Sequence, residues 1–141
     1  KDGSKKMSKS ELSDLSRINL TDDKDKIVNK IKKAKTDALP MPSNIKELEK
    51  RPEAKNLIGI YSSLSDLVFE KVIDQFSGKN FSNFKDSLSD LVIEKIYPIS
   101  NEIKKLLADK NYLDEMLLEG GKKANELASK KIKKIHEIVG F

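Results

Sequence analysis

Five consecutive residues near the start of the chain, Lys6-Met7-Ser8-Lys9-Ser10, carry the clearest chemical potential in the sequence. Two lysines three positions apart, with small polar residues on either side, make a cationic loop suited to a polyphosphate. Each ammonium is a compact point charge with three donors, and the serine hydroxyls add neutral ones. A plain basic loop in a lysine-rich chain is the alternative, so the surrounding sequence must decide. No other chemistry competes with it. The sequence has no glycine-rich phosphate loop, no Ser/His/Asp set and no convergent carboxylate pair. Its one histidine, His136, stands among lysines on the polar side of the last helix and reads as a surface residue. With no cysteine and a single histidine, no structural zinc site and no disulfide is expected, and no metal ligand is assigned.

Such a loop must be held in place by neighbouring elements. Residues 1–20 are polar and without sustained periodicity, which predicts a linker from something upstream. The chain opens on Lys1, which fits a piece of a longer protein. Thr21-Asp22-Asp23 reads as a helix start, with a capping oxygen and acids at the positive end of the dipole. Ile27, Ile31 and Ala34 then form a narrow apolar stripe ringed by Lys24, Lys26, Lys30, Lys32, Lys33 and Lys35, which predicts a basic surface helix. Pro40 and Pro42 mark a linker, and Pro52 suits the first turn of a further helix.

Leu57, Ile60, Tyr61, Leu64 and Val68 recur at helical spacing, with a break expected at Ser65-Asp66 and a left-handed end at Gly78. Asn80 or Ser82 restarts the chain. From Phe84 to Leu107 one apolar face is sustained, with Pro98 expected to kink or split it. The last helix opens near Asn111, is interrupted by Gly120-Gly121 and closes at Gly140. At the glycine pair the helix should bend or admit another backbone. No alternating strand pattern of useful length exists, so the fold class is all-α, a helical bundle. Phe84, Leu88, Leu91 and Ile103 are the expected core.

The 141 residues carry a net charge of +5 with 36% charged residues, which suits either a mixed solvated surface or a polyanion partner. Aromatics are 6% and Trp is absent, which argues against base stacking as the main binding mode. No apolar run approaches the roughly 18 residues that a membrane span needs.

Taken together in order, the chain resembles a known family. Lys5-Lys6-Met7-Ser8-Lys9-Ser10 has the spelling of the class I aminoacyl-tRNA synthetase lysine signature. It is followed by Ile18-Asn19-Leu20-Thr21-Asp22-Asp23, Thr36-Asp37, Asn56-Leu57-Ile58, Phe76-Ser77-Gly78-Lys79 and Leu88-Ser89-Asp90. Tyr97-Pro98-Ile99, Tyr112-Leu113-Asp114, Gly120-Gly121-Lys122-Lys123-Ala124 and Val139-Gly140-Phe141 complete the series. In this order the pieces look like the carboxyl-terminal part of bacterial tryptophanyl-tRNA synthetases. Tyrosyl-tRNA synthetases share the lysine loop but usually continue into a different carboxyl-terminal domain. One departure is local: the family commonly continues from the signature with Asp-Pro-Asn, where this chain has Glu11-Leu12-Ser13.

The resemblance implies residues 1–20 as the signature loop and linker from an upstream Rossmann domain, and 21–141 as an α-helical, anticodon-binding domain. It implies a cytoplasmic homodimer that joins L-tryptophan to tRNA(Trp) with ATP and Mg²⁺ as substrates, acting on neither DNA nor membrane. Lys6 and Lys9 would be catalytic, and Lys6, Met7, Ser8, Lys9 and Ser10 would bind ATP. No residue is assigned to the anticodon. The 141 residues alone would be inactive, because the tryptophan pocket and the rest of the ATP site lie upstream. The competing class is a non-enzymatic helical module that binds RNA through its lysine-rich faces.

Overall fold

The computed structural model describes residues 11–140. Every regular element among them is helical, in agreement with the all-α expectation. The helices are α1 (Lys24–Lys32), α2 (Ile45–Glu49), α3 (Pro52–Ser65), α4 (Phe69–Phe76), α5 (Phe81–Ala108) and α6 (Lys110–Val139), preceded by one 3-10 turn, Asp14–Ser16. The sequence suggests one bundle. The chain instead forms two compact units, Lys1–Asn101 and Glu102–Phe141.

Local signals set most boundaries of the first unit. Asp23 caps α1, its side chain accepting from the Lys26 amide at 2.8 Å. Pro52 opens α3. The break expected at Ser65-Asp66 is real: Asp66 is left-handed at φ 57°, and the Ser65 hydroxyl donates to the Tyr61 carbonyl as α3 ends. Gly78, at φ 71°, turns the chain out of α4, a conformation that glycine adopts without steric cost. Asn80 then caps α5 by accepting from the Asn83 amide. The short helix α2 is not visible in the hydrophobic pattern, because five residues hold too little periodicity. An Asn44 cap bonded to the Glu47 amide, with Glu47 returning to the Asn44 side chain and the Ser43 amide, creates it.

The core of the first unit draws on every helix from α1 to α5. Ile27 and Ile31, Leu48, Leu57 and Ile58, Val72 and Ile73, and Leu88 and Val92 are all buried in one cluster. At its centre Tyr61, Phe76 and Phe84 meet ring against ring. Phe76 lies edge-on to both neighbours, with centroids 5.1 Å from Tyr61 and 4.9 Å from Phe84. Phe84 and Leu88 occupy the core as expected; Leu91 is only partly buried at its margin.

The linker between α1 and α2 is firmly held. The Met41 amide donates to the Lys79 carbonyl at 2.8 Å, and the Met41 side chain is buried. Arg51 grips Asp37 through two nitrogens, at 2.8 and 2.6 Å, and also donates to the carbonyls of Pro40 and Leu39. Its guanidinium lies 5.4 Å from the Phe81 ring centre. The hydrogen bond from Arg51 holds the Asp37 carboxyl below the usual aspartate range.

Pro98 does not split α5, which is continuous from Phe81 to Ala108. In the second unit, α6 runs unbroken through Gly120 and Gly121, and no other chain segment lies within 4 Å of where a Cβ would stand on either. Of the two devices expected at the glycine pair, close approach of another backbone is absent among the described residues. Asp109 rather than Asn111 starts α6, accepting from the Tyr112 amide. Ile103 is partly buried, and no residue of α6 is buried. The expectation of a core position for Ile103 is therefore corrected.

Two measurements test this packing. Leu88→Ala should lower stability by roughly 2–5 kcal/mol in denaturant unfolding, because a fully enclosed side chain leaves a cavity. An unchanged midpoint would show that Leu88 is not enclosed. For Asp37→Asn the stability deficit should be full above pH ~4, the unfolded aspartate value, and should close as pH falls through the depressed folded value. A deficit that persists unchanged at pH 2 would remove the ion pair as its cause.

Candidate functional site

The signature residues Lys6, Met7, Ser8, Lys9 and Ser10 lie outside the described residues. Glu11, the residue next to the signature, is the first of those described, so the stem that leaves the signature can be followed from its start.

Apolar packing contributes little to that stem. Leu12, Leu15 and Leu20 are exposed, and only Ile18 packs against the core. Polar bonds hold it instead. The Arg17 guanidinium donates to the Glu11 carbonyl and pairs with Asp14 at 3.2 Å. The Asn19 side chain donates to Asp14, and the Asn19 amide donates to the Asp22 carboxylate, both at 2.9 Å.

These bonds converge on Lys30 of α1. Its ammonium reaches Asp22 at 2.5 Å and Asp14 at 2.6 Å. Lys30 is 7% exposed and Asp22 4%, whereas the Asp14 side chain is about half exposed. The Asp22 carbonyl accepts from Ser100 of α5, itself completely buried, at 2.7 Å. Burial by itself would lower the Lys30 pKa, but its bonds to Asp14 and Asp22 outweigh that and raise it. The hydrogen bond from Lys30, helped by the one from Asn19, holds the Asp14 carboxyl below its usual range. The Lys30 ammonium thus lies between two carboxyl groups, one of which, Asp14, is also paired with Arg17.

The ring of lysines expected on α1 is thus corrected at one position: Lys30 points inward. Lys24, Lys26, Lys32, Lys33 and Lys35 remain exposed. Several of them already have partners. Lys35 pairs with Glu53 at 2.9 Å, Lys26 with Asp23 at 3.6 Å, and Lys24 lies 4.6 Å from the Tyr97 ring centre. On α6, Lys122, Lys123, Lys130, Lys131, Lys133 and Lys134 are all exposed, with Lys123 paired to Glu119. Both lysine-rich faces are open to a large anion.

A second inward lysine escapes sequence reading altogether. Lys85 of α5 is 8% exposed and donates to the carbonyls of Lys32 and Ala34, at 3.2 and 2.7 Å. It caps the carboxyl end of α1, where unpaired carbonyls gather. Burial pushes its ammonium below the usual lysine range. Beside the stem, an open groove is lined by Ile18, Asn56, Gly59, Ile60, Phe69 and Ile96. Among the described residues no group of three or more His, Cys, Asp or Glu is placed to hold a metal ion, and no helix is long and apolar enough to cross a membrane.

Comparison with known proteins places this arrangement. Residues 1–97 match the family described as tRNA synthetases class I (W and Y). The chain belongs to that family. Across all 141 residues it is 49% identical to the tryptophan--tRNA ligase of Agrobacterium fabrum, 50% to that of Mesorhizobium japonicum and 47% to that of Rickettsia felis. It spans 40%, 40% and 42% of those proteins, respectively. The resemblance read from the lysine signature and the motifs after it is borne out. The polar stem is legible in the sequence only as a linker ending in a helix start, because nothing in a one-dimensional pattern marks which lysine turns inward.

Removing the buried cation should be costly. Lys30→Met leaves Asp22 as an uncompensated buried charge, so a loss of about 3–5 kcal/mol is expected in denaturant unfolding. Adding Asp22→Asn should recover part of it, since the stranded charge is then gone. A single variant as stable as the parent chain would refute the buried pairing.

Proposed function

We propose that the chain is the carboxyl-terminal part of a tryptophan–tRNA ligase, an enzyme that activates tryptophan with ATP and transfers it to tRNA(Trp). The observation that carries this reading is near-50% identity to such ligases over every residue of the chain, lysine signature included. Residues 1–20 supply the signature loop and its stem, and 21–141 a helical region that receives tRNA on its basic faces. The full-length protein works in the cytoplasm as a homodimer, with ATP presented as its Mg²⁺ complex.

In the first step a tryptophan carboxylate oxygen attacks the α-phosphorus of ATP. The bond to the bridging oxygen breaks, and pyrophosphate departs as tryptophanyl-adenylate forms. Negative charge grows on the leaving group, and the ammonium groups of Lys6 and Lys9 stabilise it there. Preorganised cations of this kind act most strongly on charge that appears only in the transition state. Ser8 and Ser10 donate hydrogen bonds to phosphate oxygens, and Met7 anchors the loop by packing.

The test is single-turnover adenylate formation by the full-length enzyme at saturating ATP. Lys6→Ala and Lys9→Ala should each slow it by roughly a hundred- to a thousandfold, about 3–4 kcal/mol, with tryptophan binding nearly intact. The double variant should be less than additive, because both lysines serve one loop. Wild-type rates in both single variants would refute the assignment and favour an RNA-binding module without this chemistry.

A further inference from the structure

The stem after the lysine signature is held more by charge and hydrogen bonds than by packing. Three of its leucines are exposed, so the hydrophobic effect, which is in any case non-directional, does little to position it. Its place is set by Asp14 and Asp22 closing on one buried ammonium, and by Ser100 holding the Asp22 carbonyl. Apolar residues of similar volume in place of Lys30 and its carboxylate partners together would serve stability about as well, since buried ion pairs gain little over well-packed hydrophobic replacements of the whole set. What a charge cluster adds is direction and register. Asp14 makes the point most clearly: it is about half exposed, it contributes no apolar burial, and it lies four residues after Ser10.

We propose that Lys30, acting through Asp14 and Asp22, is a positioning residue for adenylate formation: it fixes the stem of the lysine signature to α1 and α5 and so keeps Lys6 and Lys9 in register with the ATP phosphates. The proposal rests on the role given to Lys6 and Lys9 above. It makes α1 a mechanical part of the activation step as well as a basic face toward tRNA. On this proposal the cluster acts through Lys6 and Lys9, so its loss acts on how often those lysines stand in the productive geometry. Displacements near one ångström at such a site are enough to slow chemistry by large factors.

The experiment uses the full-length enzyme and tryptophan-dependent exchange of pyrophosphate into ATP. The variants are Asp14→Ala, Asp14→Glu, Lys30→Met and, as a reference, Lys6→Ala. Asp14→Ala leaves the Lys30–Asp22 pair and the core intact, so its unfolding midpoint should fall much less than that of Lys30→Met. Its kcat should nevertheless fall about ten- to a hundredfold with the tryptophan KM unchanged. Asp14→Glu, which restores the carboxylate, should recover most of that loss. Wild-type kcat in Asp14→Ala overturns the proposal, even if Lys30→Met loses stability and activity together, since that pattern marks a purely structural role. If Lys6→Ala also exchanges at the wild-type rate, the reading of the lysine signature itself has failed and the positioning role falls with it.

Discussion

The first unit depends on three aromatic rings from three helices. Tyr61 of α3, Phe76 of α4 and Phe84 of α5 pack with centroids between 4.9 and 5.7 Å, two of the three pairs edge-on. Each ring reaches past its own helix into the space between the other two. Short α4, only eight residues long, has almost no stability as an isolated helix and exists because Val72, Ile73 and Phe76 are enclosed. Helix α1 is brought to the same centre by Ile27 and Ile31. The apolar cluster therefore decides where the helices lie, and the rest of the unit is arranged about it.

Cations add directed bonds at the margins of that cluster. Lys30 gathers the entering stem, Lys85 closes the carboxyl end of α1, and Arg51 fastens the proline-containing linker. Each binds backbone or carboxylate oxygens at the edge of that cluster. The acceptors explain the choice of residue. Arg51 meets a carboxylate and two carbonyls with a planar fork, whereas the lysines meet oxygens arriving from different directions, which a rotating ammonium accommodates. Such links are specific in direction but contribute modestly to stability. That suits segments whose task is to stand in one place.

These two layers are unevenly legible in the sequence. Helical periodicity, Pro52, the Ser65-Asp66 break and Gly78 expose most of the framework, because each acts through bonding within a few residues. Helix α2 is hidden since its cause is a capping box, not a stripe. Pro98 misleads. A proline in a helical pattern raises the expectation of a kink or a split, and α5 is not split at the position. The inward lysines are the deeper gap. Lys30 and Lys85 look like their exposed neighbours in any local pattern, and only the meeting of segments distant in sequence shows that each faces oxygen acceptors inside the fold. The lysine signature itself is legible as a string, and similarity to known synthetases bears out the family it points to.

The burial of Lys30 and Lys85 also divides the lysines chemically. Acylating reagents attack the neutral amine, so accessible lysines on α1 and α6 react according to surface exposure. Lys85, whose pKa burial lowers, is shielded beneath the end of α1, where it donates to the Lys32 and Ala34 carbonyls. Lys30 is doubly protected, by burial and by two carboxylates that hold its proton. Label appearing at Lys85 therefore times the lifting of α1 from α5, and label at Lys30 times the release of the stem. The protein carries two built-in chemical clocks for its own local opening.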